Sequence, residues 1–90
     1  MFKKISPQKV QHSDGYTVQV ADRYTVEYFD EHCRARIEVD FGESVGVYFR
    51  TLLVKDNNGA ELNLSLSESD IIFDRIVAGI KAMGSSVERL

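Results

Sequence analysis

The chain has 90 residues, 43% of them hydrophobic and 28% charged, with six glycines and one proline. That is enough for one domain with its own core and too little for two, and the composition excludes disordered, collagen-like and low-complexity chains. Eleven basic residues against fourteen acidic ones give a net charge of −3, which argues against general binding to nucleic acid, where phosphates need neutralising cations.

Residues 1–9 hold Lys3, Lys4 and Lys9 and no acid, and read as a loosely held basic segment. No apolar run follows these charges, so a signal peptide is not expected, and no stretch approaches the length that spans a bilayer. Alternation then dominates. Tyr16, Val18 and Val20 alternate with Thr17 and Gln19; after the polar corner Ala21-Asp22-Arg23, Tyr24, Val26 and Tyr28 alternate with Thr25 and Glu27. This pattern predicts a hairpin. The sharpest alternation follows: Ala35, Ile37, Val39 and Phe41 fall on one side, and Arg34, Arg36, Glu38 and Asp40 on the other, as in a strand with one buried and one wet face. Gly42-Glu43-Ser44 closes it. The run from Val45 to Lys55 has apolar residues of both parities, which predicts a strand that is central or covered on both faces. Asp56-Asn57-Asn58-Gly59 supplies turn residues, and Glu61 to Leu66 reads as a returning strand.

The period then changes. Ser67-Glu68-Ser69-Asp70 offers a cap hydroxyl with acids in the first turn, and Ile72, Phe73, Ile76, Val77, Ile80 and Met83 recur at helical spacing. A helix is expected over about residues 68–83, ended by Gly84. Gly79 inside it is unfavourable by roughly 1 kcal/mol relative to alanine, so a close approach to a strand is expected there. Ser85 to Leu90 reads as a frayed tail or one short edge strand. The sum is an α+β domain over residues 1–90: an antiparallel meander of five or six strands packed on one C-terminal helix, in two layers. Six strands span roughly 24 Å, and a helix is only about 10–12 Å wide. Either the sheet curls around the helix, or leftover apolar surface meets another protein.

Catalytic chemistry is scarce. His32 adjoins Cys33, so on a strand their side chains point to opposite faces, and the neighbouring Asp30 and Glu31 disfavour a thiolate. Asp30-Glu31-His32 is a weak metal triplet, and Gly42-Glu43-Ser44-Val45-Gly46 lacks the residues of a phosphate loop. Neither an enzyme, a metal nor a cofactor is expected. Tyr24, Tyr28, Tyr48 and Phe49 with Arg34, Arg36 and Arg50 look like the stacking platform of a single-strand binder, but Glu27, Glu38 and Asp40 would sit near the same phosphates. The single cysteine cannot form an internal disulfide, which fits the cytoplasm.

The order of elements resembles a known family. Strands Tyr24-x-Val26-x-Tyr28 and Ala35-x-Ile37-x-Val39 precede Leu66-Ser67-Glu68-Ser69-Asp70, which opens a helix with Ile76 and Ile80, followed by Met83-Gly84 and Val87-Glu88. This layout, over residues 16–88, resembles the small immunity proteins of bacterial polymorphic toxin systems, including contact-dependent growth inhibition. The resemblance implies a mainly β fold with a C-terminal helix, a cytoplasmic location, and one cognate toxin domain, often a basic nuclease, whose active site or substrate surface is covered. No catalytic motif carries over.

Charge points the same way. Residues 22–43 carry seven acids against three arginines, and an acidic surface competes for the lysines and arginines with which a nuclease holds phosphates. Asp22, Glu27, Asp30, Glu31, Glu38, Asp40 and Glu43 are the expected polar contacts, with Tyr24, Tyr28 or Tyr48 as an aromatic anchor. The alternative is a homodimeric interaction module, whose uncovered sheet face pairs with its own copy.

Overall fold

The structure is a computed structural model that describes residues 1–90. Seven strands and one helix follow in chain order: β1 Phe2–Ser6, β2 Lys9–His12, β3 Thr17–Asp22, β4 Thr25–Phe29, β5 Cys33–Phe41, β6 Val45–Asp56, α1 Leu66–Ala82 and β7 Val87–Arg89. The strands form one sheet in sequence order. The α+β class holds, but the sheet has seven strands rather than five or six, and it is not wholly antiparallel. β1 to β6 form the antiparallel meander, whereas β7 returns after the helix and pairs parallel to the first residues of β6, Val45 opposite Val87 and Val47 opposite Arg89.

The extra strands lie at the N-terminus. Residues 1–9 are not a loose segment: β1 pairs with β2, Phe2 opposite His12 and Lys4 opposite Val10. The Phe2 ring meets His12 edge-on at 4.7 Å, and the His12 ring stacks on Tyr16 at the same distance. β1 is the sheet edge and β2 is only four residues long, and together they contribute only Val10 to the fully buried core. Their pattern is correspondingly faint in the sequence.

In the central strands the period-2 pattern becomes burial directly. Ala35, Ile37 and Val39 are buried and Arg34, Arg36, Glu38 and Asp40 exposed. Phe41, expected inside with them, is 44% exposed at the strand end. β6 lies between β5 and β7, the central one of the two expected placements, and is covered on one face, not two. Arg36 lies opposite Leu53 but Glu38 lies opposite Tyr48, so residues 49–52 bulge out of the ladder. Thr51 stitches the bulge, its hydroxyl accepting from the Glu38 N–H at 2.8 Å and donating to the Tyr48 carbonyl at 2.7 Å. The shift reverses parity, which lets Val47 before it and Val54 after it both face the core.

After the turn at Asp56–Gly59, residues 61–66 make no strand. Only an isolated bridge joins Glu61 to Lys55 before the chain leaves for the helix. The helix starts two residues before the expected position, because Ser65 rather than Ser67 is its cap. Ser65 Oγ accepts from the Glu68 N–H, and the Glu68 carboxylate accepts from the Ser65 N–H, each at 3.2 Å. This reciprocal pair satisfies two otherwise orphaned donors. Met83 caps the other end, and Gly84 follows in the left-handed region at φ +101°.

The helix buries Ile72, Phe73, Ile76 and Ile80 against Val10, Val18, Val26, Ile37 and Val47, each such side chain contributing roughly 1.5–3 kcal/mol. At Gly79 the expected close approach occurs: a Cβ there would stand 2.6 Å from Val18 Cβ. The sheet meets the helix with β1 and β7 from its two edges as well as with β2, β3, β4 and β6. Seven strands, some 29 Å wide if flat, therefore curl into a half-barrel around one helix, and curling rather than a partner covers the inner face. No helix is long and apolar enough to cross a membrane.

Candidate partner-binding face

The residues expected to meet a partner divide between the two ends of the sheet. At one end the ladder aligns Asp22, Thr25, Glu38 and Tyr48 in one row across β3, β4, β5 and β6. Three inter-strand spacings make this row about 14 Å long. The next row outward holds Asp40, Gly46 and Glu88. Tyr24 stands in the adjoining β3–β4 turn, 61% exposed, and its carbonyl accepts from the Val39 N–H at 2.8 Å, which holds the turn against β5. Tyr48 is 38% exposed, and Glu43 lies exposed in the β5–β6 turn. Asp22, Tyr24, Glu38, Asp40, Glu43 and Tyr48 thus share one end of the outer face. Glu88 joins them unannounced by the sequence, because a three-residue strand after the helix has too short a pattern to assign a face.

None of these carboxylates forms an ion pair within the chain. The chain's ion pairs are His12–Asp14, His32–Glu31, Arg75–Asp30 and Arg89–Asp70, and none takes Asp22, Glu27, Glu38, Asp40 or Glu43. The Tyr24 N–H donates to Asp22 Oδ1 at 2.9 Å and holds that carboxyl below the usual carboxylate range, helped by Thr25 and the charge of Arg36. Glu27 lies one row further in, opposite Arg36, and accepts from Gln19 Nε2 at 3.2 Å.

The other end treats its acids differently, and two of the expected contact residues fall away there. Tyr28 is fully buried, as the alternation that buries Val26 requires, so it is no surface anchor. Its hydroxyl donates to Asp30 Oδ2 at 2.6 Å and accepts from Arg75 Nη1 at 3.0 Å. Asp30 Oδ1 accepts from the N–H groups of His32 and Cys33 at 2.7 and 2.8 Å. Burial alone would raise the Asp30 pKa, but the Tyr28 hydroxyl and the two backbone donors outweigh it and hold the carboxyl below its ordinary range. The same burial and the neighbouring Asp30 push the Tyr28 phenol well up. With its oxygens committed and its side chain 15% exposed, Asp30 is a structural anchor of the β4–β5 turn rather than a contact. Glu31 is exposed and meets His32 Nε2 at 3.3 Å, at the far end from Glu38 and Asp40.

Cys33 is buried beside this cluster, and burial together with the negative charge of Asp30 pushes its thiol up to about 11. No hydrogen bond joins it to either histidine: His12 Nδ1 accepts from the Asp14 N–H, and His32 turns out toward Glu31. No three of the His, Cys, Asp and Glu side chains converge as a metal would need. The expected stacking platform is likewise dispersed, since Tyr28 is buried and Phe49 packs edge-on against Phe73 at 5.0 Å beneath Arg89.

No family model, curated protein or solved structure matches the chain.

Proposed function

We propose that this chain is a non-catalytic binding protein that neutralises a cationic partner, an immunity-type inhibitor that covers a basic toxin domain. The observation that carries the proposal is the end of the outer face where the carboxylates of Glu38, Asp40 and Glu43 stand without hydrogen-bond or ion-pair partners inside the fold, beside exposed Tyr24 and Tyr48. Unpaired carboxylates on a rigid ladder keep their geometry before binding, so little ordering cost accompanies association, and their field speeds encounter with a basic surface. Tyrosine adds a large apolar contact at low entropic cost. The chemistry suits a nuclease domain, whose substrate surface must be cationic to hold phosphates.

A second reading has one observation in its favour. The opposite end of the same face carries Arg34 and Lys55, with Arg36 between them and Glu38, so two copies related by a two-fold axis would set opposite charges against each other. Light scattering of the purified chain, alone and with the basic C-terminal toxin domain encoded beside it, decides between the two. The proposal expects a monomer that becomes a 1:1 complex. It also expects the double reversal Glu38→Lys, Asp40→Lys to slow association, most strongly at low salt. A stable dimer without a partner, or association untouched by the reversal, overturns it.

A further inference from the structure

The cationic end of the outer face holds a feature that the acidic end lacks. Across the β5–β6 ladder Arg34 lies directly opposite Lys55, with Arg36 two residues along on the same face. Like charges directly opposed across a ladder destabilise a sheet, and neither Arg34, Arg36 nor Lys55 takes part in an ion pair. The three cations border a depression of about 460 Å³ that also contains Phe29, Glu27 and Asp56. The two acids keep their charge, Glu27 directly opposite Arg36, so the cations outnumber them three to two, and one oxygen of each acid is held within the fold. Glu27 accepts from Gln19, and Asp56 Oδ1 accepts from the N–H groups of Asn58 and Ala60 at 2.8 and 3.0 Å. The Phe29 ring is flanked by Lys9 Nζ at 5.8 Å and Arg34 Cζ at 5.9 Å from its centroid.

We propose that this depression binds a polyphosphate group, with Arg34, Arg36 and Lys55 as its phosphate ligands and Phe29 as its apolar wall. Neighbouring cations on the ladder stand about 5 Å apart across strands and about 7 Å apart along one, spacings that let two adjacent phosphates engage all three. Two of the three are guanidinium groups, which fork onto phosphate oxygens. The ligand is compact rather than a long strand, because a net charge of −3 repels an extended polyanion while fields beyond about 10 Å are screened at moderate salt. This inference does not depend on the neutralisation reading, which uses the opposite end of the face.

The test titrates the intact chain with tripolyphosphate and, separately, with ADP, followed by backbone amide resonances and by thermal unfolding. Shifts are expected at Phe29, Arg34, Arg36, Lys55 and Asn58 and not at Glu38 or Asp40, together with a rise in Tm as the opposed cations are neutralised. Arg34→Gln and Lys55→Gln should each weaken binding by about tenfold or more, the size of a lost charged hydrogen bond. Tighter binding of ADP that Phe29→Ala abolishes identifies a nucleotide, and equal binding identifies the polyphosphate itself; both sustain the site. No shift with either ligand, affinity unchanged in both variants, or equal binding of a hexaglutamate peptide overturns the proposal.

Discussion

Asp30 and Asp40 belong to one acidic stretch of the chain, yet the two ends of the sheet use them in opposite ways. At the β4–β5 turn Asp30 is shielded from water and receives the Tyr28 hydroxyl and two backbone N–H groups, with Arg75 close behind. At the other end Asp40 and Glu38 stand in water with no ion-pair partner. A carboxylate whose donors come from its own fold does structural work, and one left without them is available to another molecule. Sequence position does not separate these cases, but the supply of donors does.

The contrast breaks most visibly on substitution. Asp30→Ala leaves the Tyr28 hydroxyl and two backbone N–H groups without their acceptor and Arg75 without its ion-pair partner, and is expected to destabilise the fold by about 2–3 kcal/mol. For a domain of this size that lowers Tm by roughly 10–20 °C in a calorimetric scan. Acid sharpens the same point. The Asp30 pKa is lower in the folded chain than in the unfolded one, so its contribution is complete above the unfolded value near about 3.9 and is lost as pH falls through the folded value. Denaturant titrations between about pH 5 and pH 2 should therefore show the wild type losing more stability than Asp30→Asn. Cys33, in the same buried cluster, should react with a thiol reagent at pH 8 about tenfold or more slowly than in denaturant, because burial and Asp30 suppress its thiolate. The smallest effect lies at the open end. Glu38→Lys with Asp40→Lys should change stability by no more than about 0.5 kcal/mol while altering partner association. A large loss of stability there would mean that these acids, too, serve the fold.

Much of the fold was legible because the central strands keep an unbroken period of two. Ala35, Ile37 and Val39 against Arg34, Arg36 and Glu38 assign both faces of β5 from residue type alone. β6 is central, between β5 and β7, but its apolar residues of both parities do not mean two covered faces: the bulge at residues 49–52 changes parity midway, so a pattern assumed continuous shows apolar residues on both faces. β1 shows no clear pattern because an edge strand buries little; the short edge strand expected within residues 85–90 is β7, but its parallel pairing is not legible because its partner lies across the helix. In the candidate site the outward carboxylates of β5 could be read from the same alternation. Asp30 could not, since its role depends on Arg75, 45 residues later, and on turn N–H groups that no pattern displays. Tyr28 could have been excluded from the surface at once, as it shares the parity of Val26.

The helix that fills the half-barrel is followed by the strand that completes its edge. A ribosome therefore makes the six-strand meander first, and Val18, Val26 and Val47 have no helical cover until residues 66–82 have emerged. In that interval the nascent chain carries an open apolar trough, the kind of surface that chaperones recognise and that neighbouring chains stick to. Late arrival of Ile76 and Ile80 makes the final quarter of the chain the step on which clean maturation turns.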